Sequence, residues 1–231
     1  MAVLQNQREL RMSKPYAGLF ISIEGGDGSG KSTLAHEMTR ILMDKGYKVH
    51  ATREPGGTSL SEKIRDLILH PESSIKIGNR AEMLLFLAAR AQHIDEVIQP
   101  KLRAGEIVIC ERFSDSTIAY QGSARHLGTQ EVETLCKLSV HLEPDLTFLL
   151  DIDPHEGLKR VREKRKSTYD RLENEQAQFH SEVRQGYLHL ADRYPNRIII
   201  LDASLPKEQL LAKALTELEP RLLLKPASPL R

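Results

Sequence analysis

A glycine-rich octapeptide near the N-terminus constrains the fold of this chain more than any other feature. Residues 25–32 read GGDGSGKS, which matches the pattern G-x-x-x-x-G-K-[ST] without a mismatch. Glycine lets the backbone approach an anion closely, so main-chain N–H groups can surround phosphate oxygens. The apolar run at 19–23 predicts a buried strand, and residues 32–45 predict a helix that ends at Gly46. A strand, a loop and a helix in this order place a helix N-terminus beneath a phosphate.

This octapeptide is a candidate binding site for ATP. All eight of its residues are predicted to contribute: Gly25, Gly26, Asp27, Gly28, Ser29, Gly30, Lys31 and Ser32. Lys31 would reach the β- and γ-phosphates, and the Ser32 hydroxyl would ligate Mg²⁺. A glycine-rich turn that binds nothing is the alternative, and the strand and helix that flank the octapeptide argue against it.

Short apolar runs alternate with helical patterns along the rest of the chain. Further strands are predicted at 47–52, 106–110, 146–152 and 197–201, and helices at 59–69, 80–102, 129–142 and 173–192, with two more that begin at Pro154 and Pro206. This alternation predicts an α/β fold, a parallel sheet with helices on both faces. Such sheets bind ligands at the carboxyl ends of their strands.

The composition is that of a single large α/β domain, predicted at 18–219 between an N-terminal extension (1–17) and a C-terminal tail (220–231). The 33 basic and 32 acidic residues almost balance, so neither a nucleic-acid partner nor a membrane surface is expected. There is no run of 18 apolar residues and no secretory leader. Cys110 and Cys136 are expected to be reduced core thiols in a cytoplasmic protein, and no zinc site is expected.

Charged residues follow the predicted second and third strands. Arg53 precedes a Pro-Gly-Gly turn and is suited to a bidentate grip on a phosphate, although an exposed arginine in a surface turn fits equally well. Glu111 could orient Mg²⁺ or its water, and Arg112 could neutralise a transferring phosphoryl group. A structural ion pair is the alternative for these two residues.

Two further segments fit nucleotide chemistry. Residues 160–171 read RVREKRKSTYDR, which is either a solvated helix face or a basic lid that covers the γ-phosphate and excludes water. Phe86 and Arg90 are spaced i, i+4 and share a helix face, so a ring and a guanidinium could together bind a planar base. From spacing alone, a core phenylalanine beside a surface arginine is the favoured interpretation.

Taken together, these segments resemble the thymidylate kinase family from about residue 19 to residue 202. The resemblance depends on IEGGDGSGKST, TREPGGT, FLAAR, ICERF, TIAYQG, PDLTFLLDI and DRLE. TREPGGT and AYQG are much more specific than the P-loop. The resemblance implies a P-loop nucleoside-monophosphate-kinase-like fold with a five-stranded parallel sheet. It also implies a homodimer that phosphorylates dTMP to dTDP with ATP and Mg²⁺.

The resemblance also implies a set of dTMP-binding residues: Asp27, Arg53, Phe86, Arg90, Arg112, Thr117, Tyr120 and Gln121. Arg53 and Arg112 would hold the phosphate. Phe86 would stack on thymine, Arg90 would bond its O4, and Thr117 would lie near the base edge. Tyr120 would lie under C2′ and disfavour a ribose hydroxyl, and Asp27 would lie near the 3′-hydroxyl.

The resemblance alone does not assign the catalytic arginine, because family members carry it either in the P-loop or in the lid. Position 28 is glycine here, so the lid would have to supply it. The predicted catalytic residues are therefore Lys31, Glu111, Arg112 and the lid candidates Arg162, Arg165 and Arg171. Glu111 stands where the family usually has aspartate, which leaves its role open.

Two other functions remain possible from the sequence. One is a P-loop kinase for another nucleoside monophosphate or a small metabolite, against which the Phe86/Arg90 pair and AYQG argue. The other is a P-loop switch or regulatory nucleotide-binding module. A GTPase of that class needs a base-reading motif such as N-K-x-D, which the chain lacks.

Overall fold

The computed structural model describes residues 16–72, 74–164 and 170–223, with Lys164 described by its backbone only. Within them, five strands form one parallel sheet in the order β2-β3-β1-β4-β5. The strands are β1 (Leu19–Gly25), β2 (Val49–Arg53), β3 (Ile107–Glu111), β4 (Leu146–Asp151) and β5 (Ile198–Asp202). The α/β class and the parallel sheet predicted from the sequence are confirmed.

Helices connect the strands and cover both faces of the sheet. The described α-helices are α1 (Lys31–Asp44), α2 (Ser59–Leu69), α3 (Asn79–His93), α4 (Gln99–Arg103), α5 (Ser114–Thr117), α6 (Thr129–Ser139), α7 (Pro154–Lys164), α8 (Ala177–Arg193) and α9 (Lys207–Leu223). Residues alternate between the faces along β1. Leu19, Ile21 and Ile23 pack with α1 and α9 on one side, whereas Phe20 packs on the other side. This two-sided burial explains why the three central strands, β1, β3 and β4, read as continuous apolar runs.

Two helical segments differ from the sequence prediction. The helix predicted at 80–102 contains a π-helical turn, Ile94–Ile98, between α3 and α4. Pro100 has no N–H and its ring excludes the carbonyl four residues earlier, so the wider turn falls directly before it. Helix α5 and the π-helical Ile118–Ala124 were not predicted, since Thr, Ile, Tyr and Gly are poor helix formers. The last helix continues three residues beyond the predicted start of the tail.

The strand register aligns the carboxyl ends of the sheet. Arg53 lies opposite Glu111 on the neighbouring strand, Gly25 lies opposite Leu150, and Asp151 lies opposite Asp202. The loops that follow β1, β2 and β3 therefore start at one edge. No helix in the described ranges is both long enough and apolar enough to cross a membrane.

Candidate active site

A cavity of about 300 Å³ opens at this carboxyl edge. Thirteen of the residues predicted from the sequence line it: Asp27, Gly28, Gly30, Lys31, Ser32, Arg53, Phe86, Arg90, Glu111, Arg112, Thr117, Tyr120 and Gln121. They come from the P-loop, from the ends of β2 and β3, from the loop after β3, from α3 and from the helical segment 114–124. The edge thus joins the predicted phosphate-binding residues and the predicted base-binding residues in one space.

The P-loop depends on glycine at position 28 for steric reasons. Gly28 has a φ of +74° in the left-handed region, and a Cβ built there would lie 2.0 Å from the carbonyl oxygen of Gly157. Gly157 is itself constrained, because its Cβ would lie 2.4 Å from the Asp27 carbonyl oxygen. Helix α7 therefore packs directly on the P-loop backbone. A side chain at position 28, arginine included, requires one of these segments to move.

The Lys31 side chain folds back onto the P-loop, which is the loop predicted to bind phosphate. Its Nζ donates to the carbonyl oxygens of Gly25 (3.2 Å) and Gly26 (2.7 Å). Burial, followed by the positive charge of Arg112, lowers the pKa of Lys31 to about 8. An anion in the cavity would oppose both effects and favour the ammonium form.

Arg112 connects the loop after β3 to the P-loop. It holds a φ of +66°, which is uncommon for a residue other than glycine. Its guanidinium donates to Asp27 Oδ1 at 2.5 Å and to the Gly25 carbonyl oxygen at 3.1 Å. Burial raises the pKa of Asp27, but the charges of Arg112 and Lys31 outweigh it and keep the carboxyl below its usual value. Asp27 is therefore an anion between two cations.

Glu24 lies beneath this pair and was not predicted from the sequence. Its fully buried carboxyl accepts hydrogen bonds from the Phe113 N–H (2.7 Å), Ser116 Oγ (2.6 Å) and Tyr187 Oη (3.1 Å). Burial, and then the charge of Asp115, raises the pKa of Glu24 to about 7. The carboxyl thus pins the backbone just after Arg112. Glu24 directly follows the apolar run at 19–23, and nothing in the local sequence indicated this role.

Two further cations flank the loop after β2, with Arg53 at the end of β2 and Arg65 on α2. Arg53 pairs with Glu62 through two hydrogen bonds of 2.8 and 3.1 Å. Arg65, which sequence analysis missed, lines the cavity and donates to the Pro55 carbonyl oxygen at 3.0 Å. Burial, and then the charge of Arg53, lowers the pKa of Arg65. Arg65 sits in an ordinary helical pattern, so only the packing of α2 against this loop reveals its position.

Phe86 and Arg90 line the other end of the cavity, as their shared helix face predicted. Phe86 is half-buried, whereas Arg90 is only 2% exposed and is not the surface arginine favoured from spacing alone. Arg90 donates to Glu54 Oε2 at 2.7 Å and to Thr117 Oγ1 at 3.0 Å. A buried and paired guanidinium is rigid and can present its remaining N–H groups in a fixed direction.

Tyr120 and Gln121 occupy the π-helical segment. The Tyr120 hydroxyl donates to Asp27 Oδ2 at 3.3 Å, and its ring lies 5.0 Å from the Arg112 guanidinium carbon. Gln121 is buried and donates to Glu82 Oε1 at 2.8 Å. Tyr120 therefore stands against the charged centre of the site, and Gln121 ties the segment to α3.

The predicted lid arginines fall in three different settings. Arg162 is exposed on α7, and Arg165 lies outside the described residues. Arg171 donates to the Ile68 carbonyl oxygen at 3.0 Å and pairs with the buried Glu82, and it does not itself line the cavity. Arg160, in the basic segment but not among the candidates, does line the cavity and donates to the Ala203 carbonyl oxygen at 2.9 Å.

Two side chains in the cavity have the chemistry of a Mg²⁺ site. Glu111 is half-buried, and among the described residues its carboxylate makes no hydrogen bond or ion pair. Ser32 presents its hydroxyl at the first turn of α1. Hard oxygen ligands, few in number and open to water, suit Mg²⁺ when phosphate oxygens complete its shell. The remaining P-loop positions, Gly25, Gly26 and Ser29, lie behind the cavity lining.

Comparison with known proteins gives one consistent result. The family model described as thymidylate kinase matches residues 23–214. A thymidylate kinase of Protochlamydia amoebophila is 49% identical over 213 residues, which cover 90% of this chain and 95% of that protein. One from Geobacillus is 44% identical over 196 residues, covering 84% and 93%. The crystal structure of thymidylate kinase from Ehrlichia chaffeensis aligns with a TM-score of 0.68 at 31% identity, covering 87% and 98% of the two chains.

Proposed function

The chain belongs to the thymidylate kinase family, and we propose from this premise that it transfers the γ-phosphoryl group of ATP to dTMP, giving dTDP and ADP. The observation that carries the proposal is the single cavity lined by both the P-loop and the Phe86/Arg90 face. When the phosphoryl donor and the phosphoryl acceptor are held in one cavity, their reaction becomes effectively intramolecular. A kinase for another nucleotide is not favoured by this family membership.

The P-loop and its neighbours would stabilise the charge on the transferred group. Lys31 leaves its carbonyl partners and meets the β- and γ-phosphates of ATP. Arg53 and Arg112 hold the dTMP phosphate from two neighbouring strand ends. Little covalent chemistry is required of the protein, because phosphoryl transfer depends chiefly on positioning and on electrostatic stabilisation.

Ser32 and Glu111 would hold Mg²⁺, directly or through water. When bound, this ion neutralises charge on the β- and γ-phosphates. Glutamate at position 111 reaches one methylene further than the usual aspartate.

Asp27 and Tyr120 would bind the sugar. Asp27, kept ionised by its two cationic neighbours, accepts a hydrogen bond from the 3′-hydroxyl. The Tyr120 ring lies below C2′ and leaves no room for a ribose hydroxyl, which favours the deoxy substrate.

The protein is proposed to act as a cytoplasmic homodimer. Exposed leucines on three neighbouring helices support a dimer face: Leu60 and Leu67 on α2, Leu84 on α3, and Leu135 and Leu138 on α6. Grouped apolar side chains on the surface are typical of association sites.

A coupled assay tests the activity directly. Purified protein with Mg-ATP should phosphorylate dTMP in preference to dUMP, UMP, CMP and AMP. Lys31→Ala should lower kcat by orders of magnitude with the fold intact, because a cation on the transferring phosphate is lost. Slow ATP hydrolysis without transfer to any acceptor would refute the kinase assignment. More than a tenth of the wild-type kcat in the Lys31→Ala variant would refute the role of the lysine.

A further inference from the structure

The guanidinium of Arg90 is held by side chains from several separate elements. Its Nε donates to Glu54 Oε2 (2.7 Å), one terminal nitrogen donates to Thr117 Oγ1 (3.0 Å), and the other contacts Cys136 Sγ (3.9 Å). The Phe113 ring lies against the group, with its centroid 5.1 Å from the guanidinium carbon. The loop after β2, α5 and α6 therefore jointly fix the plane of Arg90.

These contacts leave a defined pair of donors. A guanidinium carries five N–H groups. Among the described residues, Glu54, Thr117 and Cys136 engage three of them, so each terminal nitrogen of Arg90 keeps one N–H without a partner there. Arg90 lines the cavity on the same helix face as Phe86. A flat ring stacked on Phe86 would present its edge to two N–H groups whose direction is already set.

Glu54 is the only one of these partners that carries a negative charge, and it is itself braced. Its second oxygen lies 3.2 Å from His93 Nδ1, and His93 Nε2 lies 2.7 Å from Thr52 Oγ1. Glu54 is 5% exposed and His93 is fully buried. Gly57 completes the packing, because a Cβ there would lie 2.4 Å from His93 Nε2. Contacts with two residues of α3, Arg90 and His93, therefore hold the carboxylate in one position.

We propose that Glu54 is a positioning residue for base specificity, which rests on the function proposed above. It aims the two free N–H groups of Arg90 at the substituent on C4 of the pyrimidine. A carbonyl oxygen at C4, as in thymine, accepts from these donors. An amino group at C4, as in cytosine, places donor against donor and leaves buried N–H groups unpaired, which is strongly disfavoured.

The chain offers a matched control for this idea. Glu62 also braces an arginine, Arg53 at the end of β2, through two hydrogen bonds. That arginine is assigned to the phosphate, which dTMP and dCMP share. Loss of Glu62 should therefore lower kcat/KM for both substrates by the same factor, whereas loss of Glu54 should change the preference between them.

The experiment measures kcat/KM for dTMP and for dCMP in the wild type, Glu54→Gln and Glu62→Gln, with thermal unfolding to verify the fold. Glutamine is nearly isosteric with Glu54 but removes the charge. We expect the dTMP-to-dCMP ratio to fall at least tenfold in Glu54→Gln and to stay within twofold of wild type in Glu62→Gln. If Glu54→Gln does not fold, His93→Gln removes the brace instead and should lower the ratio in the same direction.

Two results overturn the proposal, and they differ from a failure of the proposed function. A folded Glu54→Gln variant with lower activity on both substrates but an unchanged ratio would make Glu54 merely structural. An equal fall of the ratio in Glu62→Gln would show that base selection does not depend on Glu54 in particular. A wild type that phosphorylates neither substrate would instead refute the kinase assignment, and this inference with it.

Discussion

At the scale of single residues, buried charges determine how the site is held. Asp27, Lys31 and Arg112 form a compact group of opposite charges that lines the cavity, and the carboxyl of Glu24 is buried close to Arg112. A buried charge is tolerated only when it is paired or hydrogen-bonded. Removing one of these side chains therefore leaves the charges of the others uncompensated, and this should lower both the stability of the fold and the activity.

Glu24 gives a pH-dependent test of this balance. Between about pH 4.5 and 7 an unfolded glutamate is ionised, whereas Glu24 in the folded state keeps its proton. The folded state then binds more protons, so its stability falls as pH rises, by at most about 1.4 kcal/mol per pH unit. Glu24→Gln should lack this contribution. Urea unfolding of both proteins at pH 5, 6, 7 and 8 measures the difference.

The control for this titration is Glu217→Gln, an exposed glutamate on α9. Its stability curve should run parallel to that of the wild type. Parallel curves for Glu24→Gln as well would mean that Glu24 titrates at the same pH in the folded and unfolded states.

At the scale of elements, α7 and the segment after it carry the arginines proposed to reach the γ-phosphate. Position 28 is glycine, and a side chain there would clash with Gly157. We therefore predict that this region supplies the arginine. Alanine at Arg162, Arg165 and Arg171, made singly, should yield at least one variant with a large kcat loss and little change in KM for dTMP. An arginine supplied to the transition state is worth about 10³-fold or more.

Arg171 and Arg160 add two specific expectations to this series of alanine variants. Arg171 pairs with the buried Glu82, so Arg171→Ala should lower the unfolding temperature more than the other substitutions do. Arg160 lines the cavity and belongs in the set. Lys159→Ala, exposed one residue earlier, is the control for loss of charge alone. Wild-type kinetics in all the arginine variants would exclude the segment as the source of the catalytic cation.

At the scale of the whole molecule, the exposed leucines on α2, α3 and α6 predict self-association. Leu84 is 57% exposed on α3, the middle helix of the three. Leu84→Asp would place a carboxylate in an apolar interface and should convert a dimer to a monomer. Light scattering after size-exclusion chromatography measures the mass. Met43→Asp, on α1 across the sheet, should leave the mass unchanged. A wild-type monomer would contradict the dimer.

The sequence by itself determined the fold class and identified most of the charged and aromatic residues that line the cavity. The P-loop, the alternation of strands and helices, and the charged residues at the strand ends are local patterns. Each acts through a few consecutive residues, so it can be identified without the rest of the chain. The residues that sequence reasoning placed at the P-loop, at Arg53, at Phe86/Arg90 and at Tyr120 all meet at one edge of the sheet. Their individual roles stay predictions.

Only the tertiary structure decided which groups hold those residues in place. The pairing of Arg90 with Glu54 spans 36 residues, and that of Glu24 with Tyr187 spans 163. The position of Arg65 in the cavity and the anchoring of Arg171 on Glu82 likewise depend on packing between separate helices. A buried carboxylate has no sequence signature of its own, because its hydrogen-bond partners lie on strands and helices that are distant in the sequence. The order of the strands in the sheet determines which of these elements become neighbours.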